Sequence, residues 1–162
     1  SGGGGGIPGM SALTGLPAAF AGMRNSRGSR PGDELNTAAP GAGGTAAQQA
    51  VAYGKSKIGK PYVWGAVGPN AFDCSGLVMW AYGKAGISLP HHTYEQMAVG
   101  AHVSRNNIEP GDRIYCNFSG PGRPEHVMMA ISPTMAIEAP TPGQNVHITS
   151  IPLGRIEVRR GA

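Results

Sequence analysis

The sequence predicts an α+β domain in which helices from the first half pack on one face of an antiparallel sheet of five to six strands from the second half. Three observations carry that expectation. Apolar residues recur at helical spacing between about residues 45 and 99. From about residue 109 they alternate instead, in short runs separated by Gly/Pro-rich turns. The two patterns are segregated along the chain, with helices first and strands second, and there is no internal repeat.

Gly 27 and Pro 14 make up about a quarter of the 162 residues and are unevenly spread. Residues 1–44 are mostly Gly, Ala, Pro, Ser, Asn and Arg, with scattered Ile7, Met10, Leu13, Leu16, Phe20 and Met23. They are expected to form a linker or weakly ordered arm, and residues 45–162 a single domain of ordinary size. The opening Ser-Gly and the lack of an initiator Met suggest part of a longer protein.

A first helix is expected over residues 45–58. Thr45 and Gln48 have capping-box spacing, Ala47, Val51, Gly54 and Ile58 mark one face, and Gly59 and Pro61 end it. The segment Lys60-Pro-Tyr-Val-Trp-Gly-Ala66 is too short and too Gly/Pro-bounded for a helix and should be an extended loop. A second helix follows, carrying Leu77, Val78, Trp80, Ala81 and Ala85 and stopping near Gly86. Thr93 and Gln96 repeat the capping-box spacing, so a short helix is expected over residues 93–99. After the Glu109-Pro-Gly-Asp112 turn, strands are expected over 113–118, 126–131, 135–139, 146–151 and 155–160.

Composition narrows the function classes. No run of 18 apolar residues spans a membrane, and no signal peptide is visible. The net charge of +4 is mild and dispersed, and without a basic helix, zinc-ligand spacing or aromatic platform it is no nucleic-acid signal. Two cysteines are too few for a disulfide framework, although Cys74 and Cys116 could pair in an oxidising compartment. Cys116 sits in the alternating run Ile114, Cys116, Phe118 and is expected to be a small inward-facing strand residue.

Cys74 is different, because Ala71-Phe-Asp-Cys-Ser-Gly-Leu-Val78 places its thiol where a helix begins. Unpaired N–H groups and the positive end of the helix dipole favour a thiolate there, and the small Ser-Gly that follows leaves it accessible. Such a nucleophile needs a base and a group to orient that base. His126 opens a strand after a Gly/Pro-rich loop, and Glu138 stands in the next strand between Ile137 and Ala139. A carboxylate in so apolar a strand requires a partner, and across a hairpin it could fix the imidazole. His102 and His147 have no functional context and are expected to be structural or exposed. Adjacent His91 and His92 project differently and lack an acidic partner at ligand spacing, so neither a metal nor another cofactor is expected.

Pro61-Tyr-Val-Trp-Gly65, Phe72-Asp-Cys-Ser-Gly-Leu-Val78, Glu109-Pro-Gly-Asp112, His126-Val127 and Ala136-Ile-Glu-Ala-Pro140 together resemble the NlpC/P60 cysteine peptidases. The resemblance covers nearly all of residues 45–160. It implies a papain-like α+β fold and hydrolysis of peptidoglycan stem peptides, commonly between D-γ-glutamate and a diamino acid. Position by position it implies Cys74 as nucleophile, His126 as base and Glu138 as the third polar residue. It also implies Tyr62 near the oxyanion site, with Asp73 and Ser75 flanking the nucleophile and helping to hold substrate. Glu in the third place resembles the mycobacterial and actinobacterial endopeptidases.

Three departures from the family pattern stand out: Ala66 where a second Gly is common, His91 where many members have Arg, and no companion wall-binding repeat. A monomer is expected, and the resemblance implies a protein that is secreted or attached to the bacterial wall, or alternatively part of a phage virion. Two other readings stay open: an amide hydrolase or acyltransferase of the same superfamily, and a silent wall- or virion-associated binding module. A further expectation is that the arm lies across the cleft as a cap.

Overall fold

The computed structural model describes residues 44–162. The arm expected over residues 1–44 and its capping role lie outside the described residues, apart from Gly44.

Helix α1 spans Ala46–Lys55 and starts as its sequence dictates. The Thr45 hydroxyl accepts from the Gln48 N–H at 3.1 Å while the Gln48 side chain accepts from the Thr45 N–H at 2.8 Å, satisfying two orphan donors reciprocally. Its buried face is Ala50, Val51 and Gly54. A Cβ on Gly54 would stand 2.8 Å from the Met129 side chain, so the absence of one lets the helix approach the sheet. Ile58, expected on that face, lies beyond the helix in a turn and is 46% exposed.

Helix α2, Cys74–Lys84, is buried along most of its length through Ser75, Gly76, Leu77, Val78, Ala81 and Tyr82. It packs against α1 on one side and the sheet on the other. It ends in a Schellman arrangement: Gly86 takes φ 91°, its N–H donates to Gly83 O at 3.0 Å, and the Ile87 N–H donates to Tyr82 O at 2.8 Å.

Helix α3 is Thr93–Met97, shorter than expected, and its capping differs from the sequence reading. His92 is the N-cap, its side chain accepting from the Tyr94 N–H at 3.2 Å. Gln96 does not fold back on Thr93. Its fully buried amide donates to Ser75 O and Pro90 O and accepts from the Tyr115 hydroxyl, so a tertiary demand overrode the local spacing.

Six strands follow: β1 Ala101–Val103, β2 Arg113–Phe118, β3 Pro124–Ala130, β4 Met135–Glu138, β5 His147–Ser150 and β6 Glu157–Arg160. They form one antiparallel sheet in the order β1-β6-β2-β3-β4-β5. Strand β1 has no counterpart among the expected strands, because three residues are too few to display alternation. Both faces of the sheet are covered. Tyr115, Val127, Met129 and Ile137 join the helices in one core, whereas Ile114, Cys116, Met128, Ala130 and Val158 form a second core on the other face. Val103 from β1 and Ile151 beyond β5 belong to that second core as well, so it extends across the sheet from one edge to the other.

Arg113 is the largest fully buried side chain, and among the described residues it has no carboxylate partner. Its guanidinium donates to the Tyr115 hydroxyl at 2.8 Å, to Val99 O at 2.7 Å, and to the carbonyls of Gln96 and Gly161. One planar fork therefore ties β2, the end of α3 and the residues after β6. Arg113→Lys retains the charge but not the fork, and is expected to lower stability by about 2–3 kcal/mol, seen as a lower urea midpoint with an unchanged slope.

Candidate active site

The site is assembled around the first turn of α2. Residues 61–66 run beside the segment that leads into the helix: Phe72 N–H donates to Pro61 O at 3.1 Å, Val63 N–H to Phe72 O at 3.0 Å, and Asp73 N–H to Ala66 O at 2.8 Å. The loop expected over Lys60–Ala66 is thus pinned to the nucleophile's own strand of chain. Asp73 is the N-cap. One of its oxygens accepts from Gly76 N–H at 2.7 Å and the other from Gly65 N–H at 3.0 Å. His91 Nε2 lies 3.0 and 3.1 Å from the same two oxygens. His91 is therefore tied to the helix cap, at the cleft wall.

These contacts explain the glycine of Asp-Cys-Ser-Gly. A Cβ on Gly76 would stand 2.1 Å from Ala66 O and 2.7 Å from the Asp73 carboxylate. Gly76→Ala is expected to push the loop off the helix, costing about 2–4 kcal/mol of stability and most of the activity together. Urea titration and an activity assay on the same sample check it.

Cys74 is the first residue of α2 and partly exposed, while His126 near the start of β3 is 8% exposed. Both line one cleft, close enough for the thiol to act on the imidazole. On its other side His126 Nε2 donates to Glu138 Oε1 at 2.7 Å, which leaves Nδ1 for the thiol. Burial works against the His126 charge, but the hydrogen bonds and charges of Cys74 and Glu138 outweigh it and raise the imidazole to about 9. Burial likewise opposes ionisation of Glu138, yet hydrogen bonds from His126 and His147 keep its carboxyl below the usual range. The Cys74, His126 and Glu138 side chains thus form one connected chain.

His147 is the member that sequence reasoning missed. Its Nε2 donates to Glu138 Oε2 at 2.7 Å, across a β4–β5 register that sets Glu138 opposite His147. The signal lay in the pairing of two expected strands, since neither strand alone gives the histidine a context. Cys116, paired in register with His126, is buried as expected, and burial, followed by the charges of Glu138 and Cys74, pushes its thiol up to about 11. It stays protonated and offers no competing thiolate. Both cysteines are free thiols.

Tyr62 is half-buried beside the nucleophile; burial, then the charges of Cys74 and Asp73, raise its hydroxyl above the ordinary value, so it remains a proton donor. Ser75 is 5% exposed at the wall of the cleft, its carbonyl accepting from Gln96. The cleft holds about 470 Å³ and brings Tyr62, Asp73, Cys74, Ser75, His91 and His126 to one surface. Trp64 stands at its rim, 83% exposed. Opposite, Glu125 accepts from the Ser119 and Tyr94 hydroxyls, and those bonds hold its carboxyl below the usual range. Among the described residues, no three His, Cys, Asp or Glu side chains converge as metal ligands.

A family model described as the NlpC/P60 family matches residues 59–156. The chain is 41% identical over 114 residues to a Corynebacterium glutamicum (strain R) protein described as "Probable endopeptidase", covering 70% of this chain and 50% of that one. It is 33% identical over 122 residues to "Peptidoglycan endopeptidase RipA" of Mycobacterium tuberculosis, covering 67% of this chain and 25% of the relative. The chain thus spans half or less of the length of these curated relatives. Among solved structures, NlpC2 from Trichomonas vaginalis superposes with a TM-score of 0.66 at 30% identity, over 74% of this chain and 47% of that one. The NlpC/p60 domain of the peptidoglycan hydrolase SagA superposes at 0.64 and 31% identity, over 70% of this chain and 98% of that one.

Proposed function

The chain belongs to the NlpC/P60 family, and we propose that it is a cysteine endopeptidase cutting peptidoglycan stem peptides at the bond between D-γ-glutamate and meso-diaminopimelate. The observation that carries this reading is a thiol on the first residue of a helix, sharing a cleft with an imidazole that a carboxylate holds from behind. The likeness to a protein described as a peptidoglycan endopeptidase supplies the substrate class.

In this mechanism His126 is the imidazolium partner of a Cys74 thiolate. The sulfur attacks the scissile carbonyl, forming a C–S bond and an oxyanion. The Cys74 backbone N–H and the Tyr62 hydroxyl donate to that oxyanion. His126 then gives its proton to the leaving amine as the C–N bond breaks, leaving a thioester. Water attacks the thioester as His126 takes its proton, and the C–S bond then breaks to release the carboxylic product and restore the thiolate–imidazolium pair. Glu138 orients the ring and balances its charge throughout. Asp73 acts by fixing the helix start, and with Ser75 it forms the wall against which the peptide lies. Such an enzyme works outside the cell or at the wall.

The test is a panel of soluble peptides. The expected outcome is hydrolysis of L-Ala-γ-D-Glu-meso-diaminopimelate, with release of the diamino acid, and no hydrolysis of the α-linked L-Glu isomer. Equal turnover of simple γ-glutamyl amides, or transfer to added amines in preference to water, would overturn the assignment.

A further inference from the structure

We infer that His147 is a positioning residue for the reaction, holding the Glu138 carboxylate in the one orientation that aims its other oxygen at His126; this rests on the peptidase reading above. The two oxygens of Glu138 are divided between two imidazoles, each at 2.7 Å. A carboxylate's terminal torsion is broad and roughly two-fold, so one donor does not fix which way the group faces. Two donors on opposite oxygens do. Glu138 is only 13% exposed at its side chain, so water is a poor substitute for the second donor.

The placement in the fold supports a functional rather than a packing role. Strand β5 is an edge of the sheet, and the His147 side chain is 42% exposed. Its neighbour across the strand pair, Glu138, bonds to His126 through its other oxygen. The edge strand thereby reaches Cys74 through Glu138 and His126, although it contributes nothing to the cleft wall.

The groups facing Glu138 are His126 from β3, His147 from β5 and the Cys116 thiol from β2. Of these, His126 and His147 both favour the ionised carboxylate. Removing His147 withdraws one hydrogen bond from the charged form, so Glu138 protonates at higher pH and the acid side of the activity profile moves upward.

The experiment compares the wild-type chain with His147→Ala and His147→Gln. Turnover of the soluble stem tripeptide is followed from pH 4.5 to 10, alongside alkylation of Cys74 by iodoacetamide read on its own peptide, which needs no substrate. His147→Ala is expected to lower kcat about tenfold with little change in KM. It should raise the acid limb of both profiles by roughly half a unit or more and lower the urea midpoint only modestly, with the protein still fully folded under the assay conditions. His147→Gln, which keeps an N–H donor, should recover a large part of kcat. An unchanged kcat and acid limb in His147→Ala would overturn the inference, as would a loss that follows the urea midpoint and is not recovered by Gln. If the wild-type chain cleaves no stem peptide, the peptidase reading fails, and the alkylation profile still decides the role of His147.

Discussion

Cys74→Ala is expected to reduce kcat/KM on a soluble stem peptide by about 10⁴-fold or more, while the fold and its stability to urea stay within about 1 kcal/mol of the original. The reason for the contrast is local. Helix α2 is started by the Asp73 carboxylate on the Gly76 N–H and by the Asp73 N–H on the Ala66 carbonyl, bonds that do not use the Cys74 thiol. The thiol is partly exposed, lining the cleft and touching the core only at its margin, so deleting it enlarges an open cleft more than it empties the interior. Without a nucleophile, what remains is the site's ability to bind peptide and donate to an oxyanion. Cys74→Ser should be nearly as inactive, because a hydroxyl beside an imidazole is far less ionised than a thiol. Urea titration beside steady-state kinetics separates loss of chemistry from loss of fold.

His126→Gln is expected to lower kcat by about 10³-fold or more, and its pH behaviour identifies the charge state of the pair. In the wild type the imidazole is raised from 6.5 to about 9, so the imidazolium persists through neutral pH and is lost as pH rises through about 9. Activity should therefore fall on the alkaline side near that value. The same shift contributes to stability, and its sign is that of a raised base. The contribution is fully present below the unfolded value near 6.5 and disappears as pH climbs through about 9. Urea midpoints of the wild type should fall across that window, and those of His126→Gln should fall less. A wild-type midpoint flat from pH 6 to 9.5 would contradict the assigned charge state.

The parts of this fold that were legible from sequence are those whose cause is local. Thr45 and Gln48 form their capping box because both partners lie within one turn, and Gly86 stops α2 because only glycine takes its positive φ easily. The same spacing at Thr93 and Gln96 misled, since Gln96 is drawn into a buried network with nearby Pro90 and with Ser75 and Tyr115, about twenty residues away on either side. Cys74, His126 and Glu138 could be singled out from their settings and from the family resemblance, and the structure brings them together. His147 could not, because its context exists only once β4 and β5 are paired in the observed register. Arg113 escaped for the same reason: its carbonyl partners come from α3, the turn after it and the residues beyond β6.

The most direct measurement is mass spectrometry of diaminopimelate-type muropeptides after incubation with this chain and, in parallel, with Cys74→Ala. The mechanism predicts fragment pairs split after D-glutamate in the first digest and none in the second. The same fragments from the alanine variant, or wild-type cleavage confined to another bond, would contradict it.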